Sequence, residues 1–252
     1  MSLQRFSLQN RRVLITGASS GLGHGIAKGL AEAGAEIIAC ARREEKLHAL
    51  VEEIRAAGGV AHAVAMDVAD RSSVNAAYDR AEALSGTPDI IINNAGVADP
   101  KNFLKIDDAS RDFVMGTNFN GVWNVAQEGA ARMVAAGLQG SIINIASVYG
   151  MVHSTLKTYS YGASKAAVIQ LTRQLAADLA DANINVNAIA PGYFPSDMTA
   201  PLDDQSLLQS IPLQRMGSAD DIAGTAIFLA SAASNYMTGS TLVLDGGIVA
   251  SR

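Results

Sequence analysis

One cysteine in 252 residues excludes an internal disulfide framework, since Cys40 has no second thiol to pair with. Histidine is scarce as well. His24, His48, His62 and His153 stand at no spacing that would gather them around an ion, and one thiol cannot complete a zinc set, so no metal is expected. No apolar run reaches the roughly 18 residues of a membrane-spanning helix, and the opening MSLQRFSLQNRRVLI lacks the unbroken apolar stretch of a secretory signal. A cytoplasmic location and no membrane partner are the expectations. The formal charge is −5 and the basic residues are scattered, so the concentrated positive field that a phosphate backbone requires is missing and nucleic acid is not expected as a partner.

What the chain does have is apolar mass, 49% of its residues, with 23 Gly and no break in composition. That is enough for one large core and predicts a single domain over 1–252. Short β-branched runs at 13–16, 36–41, 60–66, 90–93, 141–146, 184–190 and 241–244 read as strands. Stretches with helical spacing alternate with them, near 22–33, 43–57, 71–85, 108–136, 160–181 and 219–231. Strands joined by crossover helices pair in parallel, which predicts an α/β, doubly wound (Rossmann) fold with a seven-stranded parallel sheet and helices on both faces. The least regular segment, 191–216, reads as a flap over a site.

Directly after the first strand comes Gly17-Ala18-Ser19-Ser20-Gly21-Leu22-Gly23, leading into the first helix. Glycines there allow a sharp turn and let a pyrophosphate approach the free N–H groups of a helix start. The spacing GxxxGxG resembles that of the short-chain dehydrogenase/reductase family, and further segments extend the resemblance over nearly the whole chain. Asn94, Ala95 and Gly96 follow the fourth strand as in the family's NNAG segment. Asp67, with Val68 beside it, matches the acid at the adenine edge; Pro191-Gly192 matches the turn near the nicotinamide; Ser196 falls where a hydroxyl meets the carboxamide. Among branches, the 3-oxoacyl-carrier-protein reductases and the gluconate and sugar-alcohol dehydrogenases look most alike.

The cofactor follows from the tip of the second strand. An acid there would accept from a ribose 2′-hydroxyl, whereas a cation would bind a 2′-phosphate. The strand ends in Cys40-Ala41-Arg42-Arg43, so Arg42 predicts NADP(H), with Ser19 or Ser20 adding a hydroxyl contact. The competing reading, an NAD(H)-dependent alcohol or sugar dehydrogenase, leaves both arginines solvated and gives the ribose to Glu44 or Glu45.

Tyr161 and Lys165 stand four apart near the start of a predicted helix, on one face, where an ammonium would favour the phenolate. The resemblance makes Tyr161 the general acid/base, Lys165 a ligand of the nicotinamide ribose, Ser147 a hydrogen-bond donor to the substrate oxygen, and Asn118 the holder of a water in a proton relay. Tyr149 and Tyr159 are nearby rivals, of which Tyr159 has the wrong helical phase. The expected function is NADP(H)-dependent interconversion of a carbonyl and a secondary alcohol; a non-catalytic dinucleotide-binding regulator would not need Ser147, Tyr161 and Lys165 together. Apolar segments at 151–153 and 193–195, with Ala98 and Phe103, are expected to line the cavity for a small ketone or alcohol. The resemblance also implies a homotetramer, joined through helices 108–136 and 160–181 and through 236–252.

Overall fold

Strands whose apolar residues run without alternation must be covered on both faces, and the computed structural model, which describes residues 3–154, 156–200 and 204–251, has that arrangement. Its strands are β1 (Arg12–Thr16), β2 (Glu36–Ala41), β3 (Val60–Ala65), β4 (Ile90–Asn93), β5 (Gly140–Ile145), β6 (Ile184–Pro191) and β7 (Thr241–Leu244). All pair in parallel, in the order β3-β2-β1-β4-β5-β6-β7. The direction of winding reverses between β1 and β4, which leaves a crevice beyond their carboxyl ends.

Neighbouring strand residues serve opposite layers. Val13 and Ile15 face α1 (Gly21–Glu32), α2 (Glu44–Ala56) and α8 (Ala219–Ala230), through Ile26, Leu50 and Ile222. Leu14, between them, faces the other layer with Ile38, Ile91 and Ile142. There it meets α3 (Arg71–Ser85), α5 (Gly121–Ala135) and α6 (Tyr159–Asp178) through Tyr78, Val125 and Ala176. Helix starts are marked in the sequence: Asp70 caps α3, and Ser218 with Asp221 forms a reciprocal box at α8.

The predicted helix over 108–136 is two helices. α4 (Asp108–Met115) and α5 are joined by a π-turn at Gly116–Asn120, where the Gly121 N–H reaches back five residues to the Gly116 carbonyl. Helical spacing of apolar residues does not register such a turn, because one extra residue per turn leaves the pattern looking continuous. The segment 191–216 contains a short helix, α7 (Asp204–Gln209); residues 201–203 of it lie outside the described residues. α2 begins at Glu44, one residue later than expected, which makes Arg43 its N-cap. No helix among the described residues is long and apolar enough to cross a membrane, and no cluster of ligating side chains among them could hold a metal.

α1 and α8 approach closely because α1 offers glycine at the contact. A Cβ on Gly25 would lie 2.8 Å from that of Ala219, and one on Gly29 would lie 2.5 Å from that of Ala223. Gly29→Ala is therefore expected to lower stability by about 1–3 kcal/mol through overpacking, against a gain of about 1 kcal/mol in helix propensity. Thermal unfolding checks this; a melting temperature above that of the unaltered protein would refute the packing argument.

Candidate active site

The crevice between β1 and β4 is held open by one reciprocal clasp. The Thr16 hydroxyl accepts the N–H groups of Asn94 (3.0 Å) and Ala95 (3.1 Å), and the Asn94 side-chain amide donates to the carbonyls of Thr16 (2.9 Å) and Gly17 (3.1 Å). Gly17 and Gly21 adopt φ values of +66° and +57°. A Cβ on Gly17 would come within 2.8 Å of the Ala95 backbone, so only glycine fits. Ser20, the N-cap of α1, makes no side-chain cap bond, and the first N–H groups of that helix remain available to an anion.

Above this clasp lies a cleft of about 620 Å³, within the range of small-molecule sites. Its wall carries Gly17, Ser19, Ser20, Gly21, Leu22, Arg42, Asp67, Val68, Asn94, Ala95, Gly96, Tyr161, Lys165, Pro191, Gly192 and Ser196. Three expected residues stand elsewhere. Gly23 packs beneath the wall, where a Cβ would strike the Asn94 amide and the Gly17 carbonyl at 2.4 Å. Asn118 is fully buried, its amide donating to the Val97 carbonyl (2.9 Å) and Ser164 Oγ (3.1 Å) and its oxygen accepting the Val97 N–H (2.8 Å). Its side chain is thus committed to pinning the loop after β4. Ser147 is buried and hydrogen-bonds to Tyr161, and its Oγ also accepts the Tyr149 N–H.

The sequence reading missed wall residues that carry no motif: Arg43, Met66, Val97, Phe113, Thr117 and Met198 among them. Arg43 was legible as a charge, but only the start of α2 shows where it turns. Of the apolar residues expected at the substrate end, Ala98 and Phe194 line the cleft, whereas Phe103 packs on the Tyr159 ring with centroids 5.3 Å apart. The Tyr149 and Tyr193 hydroxyls hydrogen-bond to each other. Tyr159 is 49% exposed and off the cleft wall, which leaves Tyr161 as the phenol that the helix aims inward.

The family model described as enoyl-(acyl carrier protein) reductase matches residues 17–249. A 2-dehydro-3-deoxy-D-gluconate 5-dehydrogenase of Dickeya dadantii is 40% identical over 255 residues, covering 99% of this chain and 100% of that protein. A 3-oxoacyl-(acyl-carrier-protein) reductase of Staphylococcus aureus is 40% identical over 242 residues, 94% of this chain and 98% of its own. Among solved structures, a short-chain type dehydrogenase/reductase from Mycobacterium marinum superposes with a TM-score of 0.95 at 38% identity, over 98% of both chains. The chain belongs to the short-chain dehydrogenase/reductase family. A gluconate 5-dehydrogenase from Burkholderia cenocepacia, solved with NADP and tartrate, superposes with a TM-score of 0.94 at 41% identity over 99% of both chains. As a short-chain dehydrogenase/reductase the chain is an enzyme, a nicotinamide-dependent oxidoreductase acting between carbonyl and alcohol.

In this short-chain dehydrogenase/reductase Tyr161 and Lys165 on α6 answer chiefly to burial. Lys165 lies in the interior, donates to the Ile145 carbonyl at 2.7 Å, and has its pKa pushed down to about 8. The Tyr161 phenol is pushed up by desolvation, which outweighs the hydrogen bond from Ser147 that lowers it; Tyr149 adds to the rise. This direction is opposite to the expectation that Lys165 would lower it. The Lys165 nitrogen sits 5.6 Å from the centroid of the Tyr161 ring, and the direction of the shift is set by burial.

A fall from 10.5 to about 8 means that the folded state loses about 3 kcal/mol for keeping Lys165 charged. Below pH 8 both folded and unfolded chains hold the proton and the whole penalty applies. Between 8 and 10.5 the unfolded chain holds more protons, so it fades. Lys165→Met is accordingly expected to raise stability at pH 7 by about 2 kcal/mol, after the loss of one hydrogen bond of about 1 kcal/mol, and to show a shrinking advantage toward pH 10. Denaturant unfolding at the two pH values checks the sign; a variant less stable than the parent at pH 7 would sink it.

Proposed function

We propose that this enzyme interconverts a ketone and a secondary alcohol with NADP(H), Tyr161 serving as the general acid and base. One observation carries the reading: Tyr161 and Lys165, one helical turn apart on α6, stand on the wall of a single cleft whose other end is the glycine turn with its uncapped helix start. Fit to the dinucleotide is supported by the Gly17 cradle, the cleft volume and the two arginines, Arg42 and Arg43, that follow β2 onto the wall. The Burkholderia cenocepacia gluconate 5-dehydrogenase was solved with NADP, and the preference is carried to this chain on that likeness.

When bound, the nicotinamide supplies or accepts the hydride. Gly17, Ser19, Ser20, Gly21 and Leu22 would hold the pyrophosphate, Arg42 the 2′-phosphate, Asp67 and Val68 the adenine edge. Asn94, Ala95 and Gly96 back the middle of the cofactor; Pro191, Gly192 and Ser196 flank its carboxamide, and Lys165 grips the nicotinamide ribose. Tyr161, a phenol that burial shifts further above neutral pH, delivers its proton to the developing alkoxide in reduction and takes one back in oxidation. Ser147 donates to the same oxygen and polarises it. Asn118 holds the loop after β4 in place and stands at the inner end of the proton route from Lys165.

The segment 191–216 is the flap over the substrate end, and the single domain assembles as a homotetramer. In support, Phe113, Trp123 and Val134 on α4 and α5, and Val243 on β7, keep their apolar side chains exposed in the isolated chain. Light scattering should report four chains per particle, and Trp123→Glu should reduce that number.

Tyr161→Phe is expected to lower kcat for reduction by about a hundredfold to ten-thousandfold while the cofactor still binds. Tyr159→Phe should leave turnover within about twofold. Consumption of NADPH on a panel of ketones measures both; loss of turnover in the Tyr159 variant alone would overturn the assignment. Because Lys165 loses its charge above about pH 8, kcat/KM for reduction should hold steady below that value and fall above it.

A further inference from the structure

The turn that carries Ser147 and the segment that carries α7 meet at two phenols. Ser147 is extended and caps the short 3-10 turn Val148–Gly150, its Oγ accepting the Tyr149 N–H at 3.2 Å. That turn rides directly on the start of α6. A Cβ on Gly150 would lie 2.7 Å from the Ala166 nitrogen, and one on Gly162 would lie 2.9 Å from the Tyr149 carbonyl oxygen. A shift of Tyr149 is therefore passed both to Ser147 and to the helix that carries Tyr161 and Lys165. The Tyr149 side chain has a different partner. Its hydroxyl is hydrogen-bonded to that of Tyr193, two residues past β6, and the rings meet edge to face with centroids 6.1 Å apart. Around the pair lies an apolar cluster apart from the main layers of the core: Leu207 and Leu208 of α7, with Ile211, bring the flap into it, and Ile248 joins them.

We propose that Tyr149 is a positioning residue for Ser147, and that its bond to Tyr193 ties the direction of the serine hydroxyl to a seated flap. This rests on the reading of Ser147 and Tyr161 as the groups that meet the substrate oxygen, and adds what holds the serine in place. A serine hydroxyl has one proton and two lone pairs. The Tyr149 N–H takes a lone pair, which leaves the O–H for Tyr161 and the substrate oxygen. That arrangement lasts only while the turn 148–150 keeps its place. Apolar contact around Tyr193 has no direction and lets a ring slide, whereas a bond between two hydroxyls fixes one register. Leu207 and Ile211 are buried in the same cluster and keep water from the pair. When the flap lifts, those side chains leave, water competes for both hydroxyls, and the bond weakens. The serine is thus held on line when the substrate end is covered. Phe at position 149 would keep the ring and delete only the tie.

Two measurements test this, on the full chain and its variants Tyr149→Phe, Tyr193→Phe, Ser147→Ala and their pairs. Hydrogen exchange of the backbone over 204–211 reports the seat of the flap. Tyr149→Phe should speed it by about three- to tenfold, as the loss of one hydrogen bond allows. Exchange as slow as in the unaltered protein would overturn the tie to the flap. Turnover of ethyl acetoacetate with NADPH reports the serine. Tyr149→Phe and Tyr193→Phe should each lower kcat by about three- to tenfold, with KM for NADPH within about twofold. The variant with both changes should fall no further than either alone, because the same bond is lost in all three. In the Ser147→Ala chain, adding Tyr149→Phe should cost less than about twofold, since the group it positions is gone. A purely structural role would act independently of the serine, so a Tyr149→Phe effect kept whole in Ser147→Ala would overturn the positioning claim. Should Ser147→Ala itself match the parent in kcat, the reading of Ser147 as a donor fails, a result distinct from either.

Discussion

Everything in the site depends on the clasp between the ends of β1 and β4. Parallel strands that diverge at a switch point leave backbone groups with no neighbour, and an unpaired buried N–H or C=O is costly. Thr16 and Asn94 satisfy four such groups between them, with a hydroxyl that accepts twice and an amide that donates twice. The glycine turn and the loop after β4 are thereby fixed to each other, and the crevice keeps its shape through hydrogen bonds made entirely by the protein. Gly17 and Gly23 are then required at two positions that the clasp makes too tight for any Cβ.

A second constraint opposes the first in sign. Lys165 is placed where its charge is unwelcome, and the fold bears that cost at neutral pH. A core that only had to be stable would hold an apolar side chain there. The Ile145 carbonyl is the partner that keeps the amine in the interior. In the proposed mechanism stability is traded for chemistry within one turn of α6, with the Lys165 nitrogen 5.6 Å from the centre of the phenol ring.

The fold was legible because parallel strands covered on both sides read as unbroken β-branched runs, and glycine punctuates each crossover. The glycine turn, the segment after β4, and the pair Tyr161 and Lys165 could be placed because each follows a strand or sits at helical spacing. The rest needed three dimensions. That Asn118 faces the protein and not the cleft follows from a π-turn that periodicity hides. That Arg43 reaches the hydroxyls of Ser19 and Ser20 goes with α2 beginning one residue late, which makes Arg43 its N-cap. The rise in the Tyr161 pKa follows from burial, and a spacing of four residues reports proximity to a charge but not the loss of water.

The π-turn at 116–120 bears on how this chain could tolerate change. An α-helix advances about 100° per residue, so each step of four residues drifts by about 40°. From Ser110 through Val114 and Asn118 to Val122 there are three such steps, and about 120° of drift would carry an unbroken helix off its inner line, yet all four are buried. The wider turn absorbs that rotation. Removing one residue from 116–120 would restore a plain helix with both flanks still on their present faces, since the eleven steps then left between Ser110 and Val122 come to about 1,100°, within about 20° of three full turns, whereas the same deletion in the middle of α5 would rotate everything beyond it by about 100°. Tolerance to the loss of a residue is therefore highest at the place in the helix where an extra one is already stored.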